Sequence, residues 1–456
     1  MKIAIAGASG FVGKKIIQKL KHNFEIIGLT RGLKSADKNI EWRSVDLYSV
    51  TSSFEALKDS DVAIYLVHSM LPSSRLFQGN FADTDMLLAD NFSQACIKHK
   101  VKHIIYLGGL VPENSLSSHL QSRLEVESIL KSTKIPCTIF RSGMIVGNEG
   151  SSYEILKNLV INLPFMILPK WASTLTQVIY IDDVVDCIFF SINNPSFFNK
   201  TINLVNEELI TYKDLILQTA NWLNRKILTL NVPINSTQFS KLWVTIFGHS
   251  KYELVSPLID SLKCDFSNFK TDELIKPIIK NKTYLGMLKH ISPDKTTSGF
   301  YIKFLKPVGN TVRSIQRLEN PQLFNANHIA FLYMKWLPIE MKSLINVQIK
   351  GPIVYFQVKW VKINLLILEH IKSHDELDRV KFHIIGGALS KTHDTGWLEF
   401  RLVANKYTLS IIHNFIPSLP WYIYLLTQAI IHKKVMNDFS HFIKEEDSSL
   451  KIKFSV

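Results

Sequence analysis

The chain has 456 residues, 46% of them hydrophobic and 20% charged, which describes a folded protein too long for one ordinary core and excludes a disordered one. Its net charge of +14 comes from 53 basic and 39 acidic residues, and residues 281–456 hold 23 Lys/Arg against 13 Asp/Glu, so +10 of the excess lies in that last part. No basic block interleaves with aromatic residues as a nucleic-acid platform requires, and no run reaches the ~18 uncharged apolar residues of a membrane helix.

The opening "MKIAIAGASG" runs straight into a glycine turn, so no secretory leader is expected. Cys96, Cys137, Cys187 and Cys264 are scattered singly, without disulfide or metal-ligand spacing, and read as packing residues in a reducing cytoplasm. Up to about residue 145, short β-branched runs alternate with helical patterns, the signature of a parallel sheet with crossover helices. Strands are expected at "KIAIAG", "FEIIGLT", "EWRSV", "DVAIYLV", "KHIIYLG" and "PCTIFRS", with helices between them at "FVGKKIIQKLKH", "NFADTDMLLADNFSQACIKH" and "SSHLQSRLEVESILKST". Each strand is apolar on both faces, as in a sheet covered on both sides. Residues 150–225 continue the pattern, ending on a helix at "TYKDLILQTANWLN" whose N-cap is Thr211, with Asp214 at the capping-box position.

Residues 229–299 look broken and turn-rich, a connecting region with "SPDKTTSG" as a linker tip. From 300 to 450 alternating strands such as "VQIKGPIVYFQVKW", "KFHIIGGALS" and "GWLEFRLVANKYTLSIIH" precede one long helix beginning at "PWYIYLLTQAIIHKK". The expected architecture is therefore α/β: a doubly wound parallel sheet over 1–228, then an α+β antiparallel-sheet domain with a long C-terminal helix.

Gly7, Gly10 and Gly13 follow the first strand and open the first helix. In that context Gly7 permits a tight turn, Gly10 lets the backbone approach a pyrophosphate, and Gly13 allows close helix–strand packing. The helix N-terminus beyond Ser9 offers free N–H groups and a positive dipole end to phosphate. The second strand ends "GLTRG", with Arg31 where an NAD enzyme places an acid for the ribose 2′-hydroxyl. Arg31 can pair with a 2′-phosphate instead, and Lys14 and Lys34 add charge nearby, so NADP(H) is favoured over NAD(H).

The spacing "GASGFVG", with "VDL" at 45–47, "YLVHS" at 65–69, "FRSGMIVG" at 140–147 and "VIYIDDVV" at 178–185, resembles the short-chain dehydrogenase/reductase superfamily in its atypical or extended branch, the branch of epimerase/dehydratase-like and NmrA-like proteins. The resemblance covers residues 1–225. It implies that Ser9, Phe11 and Val12 complete the fingerprint loop, that Asp46 and Leu47 lie by the adenine, that Leu66, Val67 and His68 run past the ribose, and that Leu107 and Gly108 close the fifth strand beside the cofactor. The tail stretches "IIGGALS", "GWLEFRLV" and "FIPSLPWYIYLLTQAIIHKKVMNDF" resemble a domain of unknown function fused behind such proteins, itself similar to the START-like (helix-grip) fold.

Active members of the superfamily carry a Ser or Thr after strand five and then Tyr-x-x-x-Lys. Here Gly108 and Gly109 stand at the serine position, and His119 and Arg123 in "HLQSR" take the tyrosine and lysine spacing. Histidine can serve as general acid or base, while arginine can hold a ribose or an oxyanion but exchanges no proton. Three readings stay open: His119 and Arg123 are catalytic, they position the cofactor, or they sit on a solvent-facing helix where Arg123 pairs with Glu127. Trp421, Tyr422, Tyr424, Gln428 and His432 either line a small-molecule pocket or pack an aromatic stripe on their own sheet.

The function expected is an oxidoreductase reducing an apolar carbonyl, enone or quinone-like molecule with NADP(H), the molecule held with the C-terminal domain. The alternatives are a non-catalytic NADP(H) sensor lacking the Ser-Tyr-Lys set and, ranking lower, an epimerase or dehydratase. Whether the chain is an enzyme is left open by its residues. No metal site, no nucleic acid and a cytoplasmic location are expected. The basic tail reads either as a solvated surface or as a region of peripheral contact with an anionic membrane.

Overall fold

The computed structural model describes residues 1–32, 39–69, 76–112, 117–234, 237–249, 252–293, 310–342, 344–372, 378–391 and 396–445. Lys34 and most of the "SPDKTTSG" tip lie outside the described residues. The chain forms two compact units, one of residues 1–71 and 88–304, the other of residues 72–87 and 305–456.

The first unit is built on seven parallel strands. Counted along the chain they are Lys2–Ala6, Glu25–Thr30, Ile40–Ser44, Val62–Tyr65, His103–Gly109, Cys137–Ser142 and Thr201–Leu204, and their order in the sheet is 3-2-1-4-5-6-7. All six strands expected from the apolar runs are present. Ile3, Ala4, Ile5 and Ala6 of the central strand are wholly buried, because helices cover both faces and leave the strand no wet side. The order reverses between Lys2–Ala6 and Val62–Tyr65, and a crevice opens at such a switch point beyond the strands' carboxyl ends.

Two segments take on packing roles in the structure. The acidic pair of "VIYIDDVV" starts the helix Ile181–Ser191 and is structural. Asp183 is buried and accepts bonds from the backbone N–H groups of Lys280 and Asn281, tying that later segment to the sheet's helices. Residues 229–299 do not merely connect. Helices Thr237–Phe247 and Tyr252–Ser261 pack on Ser151–Asn162 and Tyr212–Trp222, burying Val244, Val255 and Ile259 with Ile155, Leu159 and Ile216 in a second core. Trp171 Nε1 donates to Ser240 Oγ at 3.0 Å and Lys241 pairs with Asp260 at 2.8 Å, fastening these helices to the unit. Thr211 does cap its helix, accepting from the Asp214 N–H at 3.0 Å.

The second unit is an eight-stranded sheet in the order Ile345–Lys350, Ile353–Val358, Asn364–His370, Arg379–Gly386, Trp397–Val403, Tyr407–Phe415, Val312–Leu318 and Leu76–Gln78. All neighbours are antiparallel except the last pair. Val380, Phe382 and Ile384 alternate onto one face and meet Tyr333 and Trp336 of the helix Ala326–Glu340 and Met436 and Phe439 of Gln428–Glu445. The C-terminal helix is broken where one continuous helix was expected: Trp421–Leu426 ends at Thr427, with φ −126° and ψ −84°, before Gln428–Glu445 begins. Thr427 Oγ1 donates back to the Ile423 carbonyl at 2.6 Å, the local bond by which threonine competes with helix continuation. Tyr424 and Ala429 anchor the two pieces in the core, Trp421 packs at its margin, and Tyr422 faces solvent. The aromatic residues of this segment are thus divided between core and surface.

Candidate functional site

The glycine turn is set by sterics. Gly7 has φ +89°, a conformation that favours glycine, and a Cβ there would also crowd Leu66 at 3.1 Å. A Cβ on Gly13 would fall 2.3 Å from the Gly7 carbonyl oxygen and 2.8 Å from Ala8 Cα, so only glycine lets the helix Phe11–Leu20 approach the first strand this closely. That helix starts at Gly10 with no side-chain cap and no acid in its first turn. Its first N–H groups and dipole end are therefore left for an anion.

Two adjoining cavities lie along the carboxyl ends of the strands. One, of about 330 Å³, is lined by Ser9, Arg31, Asp46, Leu47 and Val67. The other, of about 460 Å³, is lined by Phe11, Val12, Gly13, Leu107, Gly108, His119 and Arg123. Gly7, Gly10, Leu66 and His68 belong to both, so the fingerprint glycines, Arg31, the strand-end residues, His119 and Arg123 each line one cavity or the other. Arg31 is exposed at the end of its strand, where its guanidinium is accessible to a ligand. Lys14 is engaged elsewhere: its ammonium pairs with Glu149 at 2.7 Å, and that bond holds the Glu149 carboxyl below the usual carboxylate range. Sequence reasoning assigned no role to Ser142, Gly143, Glu149, Gly150, Ser151 or Ser152, which line the larger cavity. Ser142 and Gly143 belong to the quoted "FRSGMIVG" stretch, so a signal was present without an assigned role.

The site's buried helix is Ser118–Lys131, capped by Ser117, whose side chain accepts from the Leu120 N–H. This helix is not solvent-facing. His119 is 8% exposed and Arg123 only 2%, and Glu127 pairs with Arg141 at 2.8 Å and Lys131 at 2.6 Å instead of with Arg123. Glu127 is taken because Arg141, on the neighbouring strand Cys137–Ser142, reaches it with two hydrogen bonds. Burial pushes the Arg123 guanidinium down to about 9 from its ordinary 12.5, which still leaves it charged at neutral pH. The His68 and His119 rings stack with centroids 6.1 Å apart.

Gly108 and Gly109 now have a physical explanation. A Cβ on Gly108 would meet the Tyr106 ring at 2.8 Å, and one on Gly109 would press Leu120 Cδ2 at 3.2 Å and Arg123 Cγ at 3.4 Å. The space that a serine side chain would need is filled by Tyr106 and the stem of Arg123. The two glycines and the arginine pack as a set.

A third cavity, of about 200 Å³, is apolar and lies wholly within the first unit. The helices from residues 151–162, 212–222, 237–247 and 252–261 wall it with Leu156, Leu159, Ile216, Val244 and Ile259, with Thr176 and Tyr212 among its few polar groups. It shares Gly109, His119, Ser142, Gly143, Ser152 and Leu258 with the larger dinucleotide cavity. The stretch read as a connecting region supplies an apolar chamber beside the cofactor crevice.

Residues 7–160 match a family model described as NAD(P)H-binding. A stretch of 122 residues is 24% identical to the auxiliary protein GraX of Staphylococcus aureus, covering 26% of this chain and 40% of that protein. The chain therefore spans less than half the length of this relative. A longer stretch, 256 residues, is 22% identical to an N-acetyl-alpha-D-glucosaminyl-diphospho-ditrans,octacis-undecaprenol 4-epimerase of Escherichia coli O157:H7, covering 51% of this chain and 75% of that enzyme. Among solved structures, triphenylmethane reductase of Citrobacter sp. complexed with NADP(H) superposes with a TM-score of 0.51 at 19% identity, covering 64% of this chain and 99% of that one. The first unit therefore has a Rossmann fold, and its residues 7–160 resemble NAD(P)H-binding domains.

Proposed function

We propose that this NAD(P)-binding Rossmann protein is an NADPH-dependent reductase of an apolar carbonyl, enone or quinone-like small molecule. One observation carries the reading: among the described residues, His119 is the one titratable side chain that lines both the dinucleotide cavity and the apolar chamber. A general acid must reach the acceptor's oxygen while hydride reaches its carbon, and among the described residues no other titratable group lines both cavities.

The crevice fits a dinucleotide, since Cβ atoms at Gly7 and Gly13 would close the turn and the helix N-terminus beyond it lacks a cap. The N–H groups of that first turn would hold the pyrophosphate, and Arg31 the 2′-phosphate, which supports NADP(H) over NAD(H). Once bound, the cofactor supplies the hydride. The apolar walls at Leu156, Ile216 and Val244 exclude water and hold the acceptor by burial, worth about 25 cal/mol per Å². A His119 ring nitrogen gives its proton to the acceptor's oxygen and regains one from solvent, while the Arg123 cation stabilises negative charge developing nearby. The Citrobacter reductase complexed with NADP(H) offers a parallel on the same fold.

The test is turnover of NADPH against a panel of apolar ketones, enones and quinones, in the wild type and in His119→Gln. The expected result is a fall of about 100-fold in kcat with unchanged NADPH affinity. Equal turnover by both proteins would remove His119 as the acid.

A second reading is favoured by the glycines at 108 and 109 and by the 122-residue likeness to an auxiliary protein: a non-catalytic NADP(H) sensor. A sensor binds the two redox forms with very different affinity and turns over nothing in the panel. For the second unit, a mainly antiparallel sheet closing on Gln428–Glu445 supports the helix-grip reading. No described helix is long and apolar enough to cross a membrane, and scattered cysteines support a cytoplasmic location.

A further inference from the structure

The second unit ends in an unusual surface. The hairpin between Ile353–Val358 and Asn364–His370 is closed by the Val358 N–H to Ile363 carbonyl and Lys362 N–H to Val358 carbonyl bonds, both 2.9 Å, so residues 359–363 form its tip. That tip reads Lys-Trp-Val-Lys-Ile and all five residues are exposed, Trp360 to 79%. An exposed tryptophan followed by exposed Val361 and Ile363 contributes nothing to the core and is expensive to leave in water.

A second apolar surface lies at the same end of the sheet. The Ala388 N–H donates to the Asn364 carbonyl at 2.8 Å, and the Ser418 N–H to the Leu389 carbonyl at 3.0 Å. This relay of neighbouring segments leads from the hairpin tip to Pro420, which starts the helix Trp421–Leu426. Around the break at Thr427, Tyr422 is 68% and Leu426 74% exposed, and Leu425, Ile430 and Ile431 also face solvent. Lys433 and Lys434 follow on the next turn and are exposed, as are Lys359 and Lys362 on the tip. No Asp or Glu occurs between residues 400 and 437, nor in the tip.

We propose that this end of the second unit docks on an anionic lipid bilayer, inserting Trp360 and the Tyr422–Ile431 surface at the headgroup boundary. The chemistry favours lipid over a protein partner. Protein interfaces are depleted in lysine, whereas exposed aromatics and aliphatics rimmed by lysine, with no acid among them, suit the boundary between acyl chains and anionic headgroups. Two separate elements present the same composition at one end of the sheet, which a single stray hydrophobe would not do.

The test uses the full chain, sedimented with vesicles of phosphatidylcholine alone and of phosphatidylcholine with phosphatidylglycerol, at low and high salt. Expected is at least tenfold tighter binding to the phosphatidylglycerol vesicles, weakening as salt rises. Trp360→Ser and Leu426→Ser should each lose about tenfold, and Lys359→Glu with Lys362→Glu about fivefold per lysine. All variants should keep the wild-type circular dichroism spectrum and urea unfolding curve, which checks their folding. Absence of vesicle binding, or equal binding to both vesicle types, overturns the proposal. A concentration-dependent dimer that Leu426→Ser dissolves, without vesicle binding, would assign the face to a second copy of the chain.

Discussion

Replacing Arg123 by methionine should make the ligand-free protein more stable and its cofactor binding worse. The guanidinium is 2% exposed and its pKa is depressed from 12.5 to about 9 by burial. The folded chain releases this proton more easily than the unfolded one, so stability rises with pH between about 9 and 12.5. Below pH 9 both states are protonated and the whole penalty is present. The depression to about 9 corresponds to a penalty on the order of 5 kcal/mol. Methionine keeps the stem that lies against Gly109 while removing the charge, so a gain of about 1–4 kcal/mol, part of that penalty, is expected. Urea unfolding of the ligand-free protein at neutral pH should therefore give a gain within that range with an unchanged slope, and NADPH affinity should fall at least tenfold. A variant destabilised by more than about 1 kcal/mol that binds NADPH normally would refute the reasoning, because Arg123 would then be a structural strut.

Gly13→Ala should lose about 1–3 kcal/mol in thermal or urea unfolding, because its Cβ would fall 2.3 Å from backbone oxygen that cannot move aside. Val244→Trp should fill part of the 200 Å³ chamber and raise KM for apolar acceptors while sparing NADPH affinity, read by steady-state kinetics. His103 is wholly buried, bonds Thr138 Oγ1 at 2.8 Å, and has its pKa pushed down to about 4 by burial. Between pH 6.5 and about 4 the unfolded chain takes up a proton that folded His103 refuses, so about 3 kcal/mol of stability should be lost as pH falls through that window. His103→Gln should flatten that part of the pH–stability curve.

The first unit was largely legible because its signals are local. Four buried residues in a row at Ile3–Ala6 and a glycine triplet after them need no tertiary context to be read as strand and phosphate turn. What escaped depends on neighbours far along the chain. The burial of Arg123 follows from Gly109, where a Cβ would crowd its stem, and Glu127 is taken by Arg141 on another strand. Neither is visible in the spacing of "HLQSR". The wall of the apolar chamber was hidden because Thr237–Phe247 and Tyr252–Ser261 are short helices among turns, and their apolar faces mean something only against Ile155 and Ile216. The strand Leu76–Gln78, three residues that join the second unit's sheet, is too short for any periodicity.

Calorimetric titration with NADPH, NADP⁺, NADH and NAD⁺, in the wild type and in Arg31→Ala, tests the account most directly. The account predicts tight binding of the phosphorylated pair, at least tenfold weaker in Arg31→Ala, with the NADH and NAD⁺ affinities unmoved by the substitution. Binding of none of the four, or equal affinity for NADH and NADPH that Arg31→Ala leaves unchanged, would contradict it.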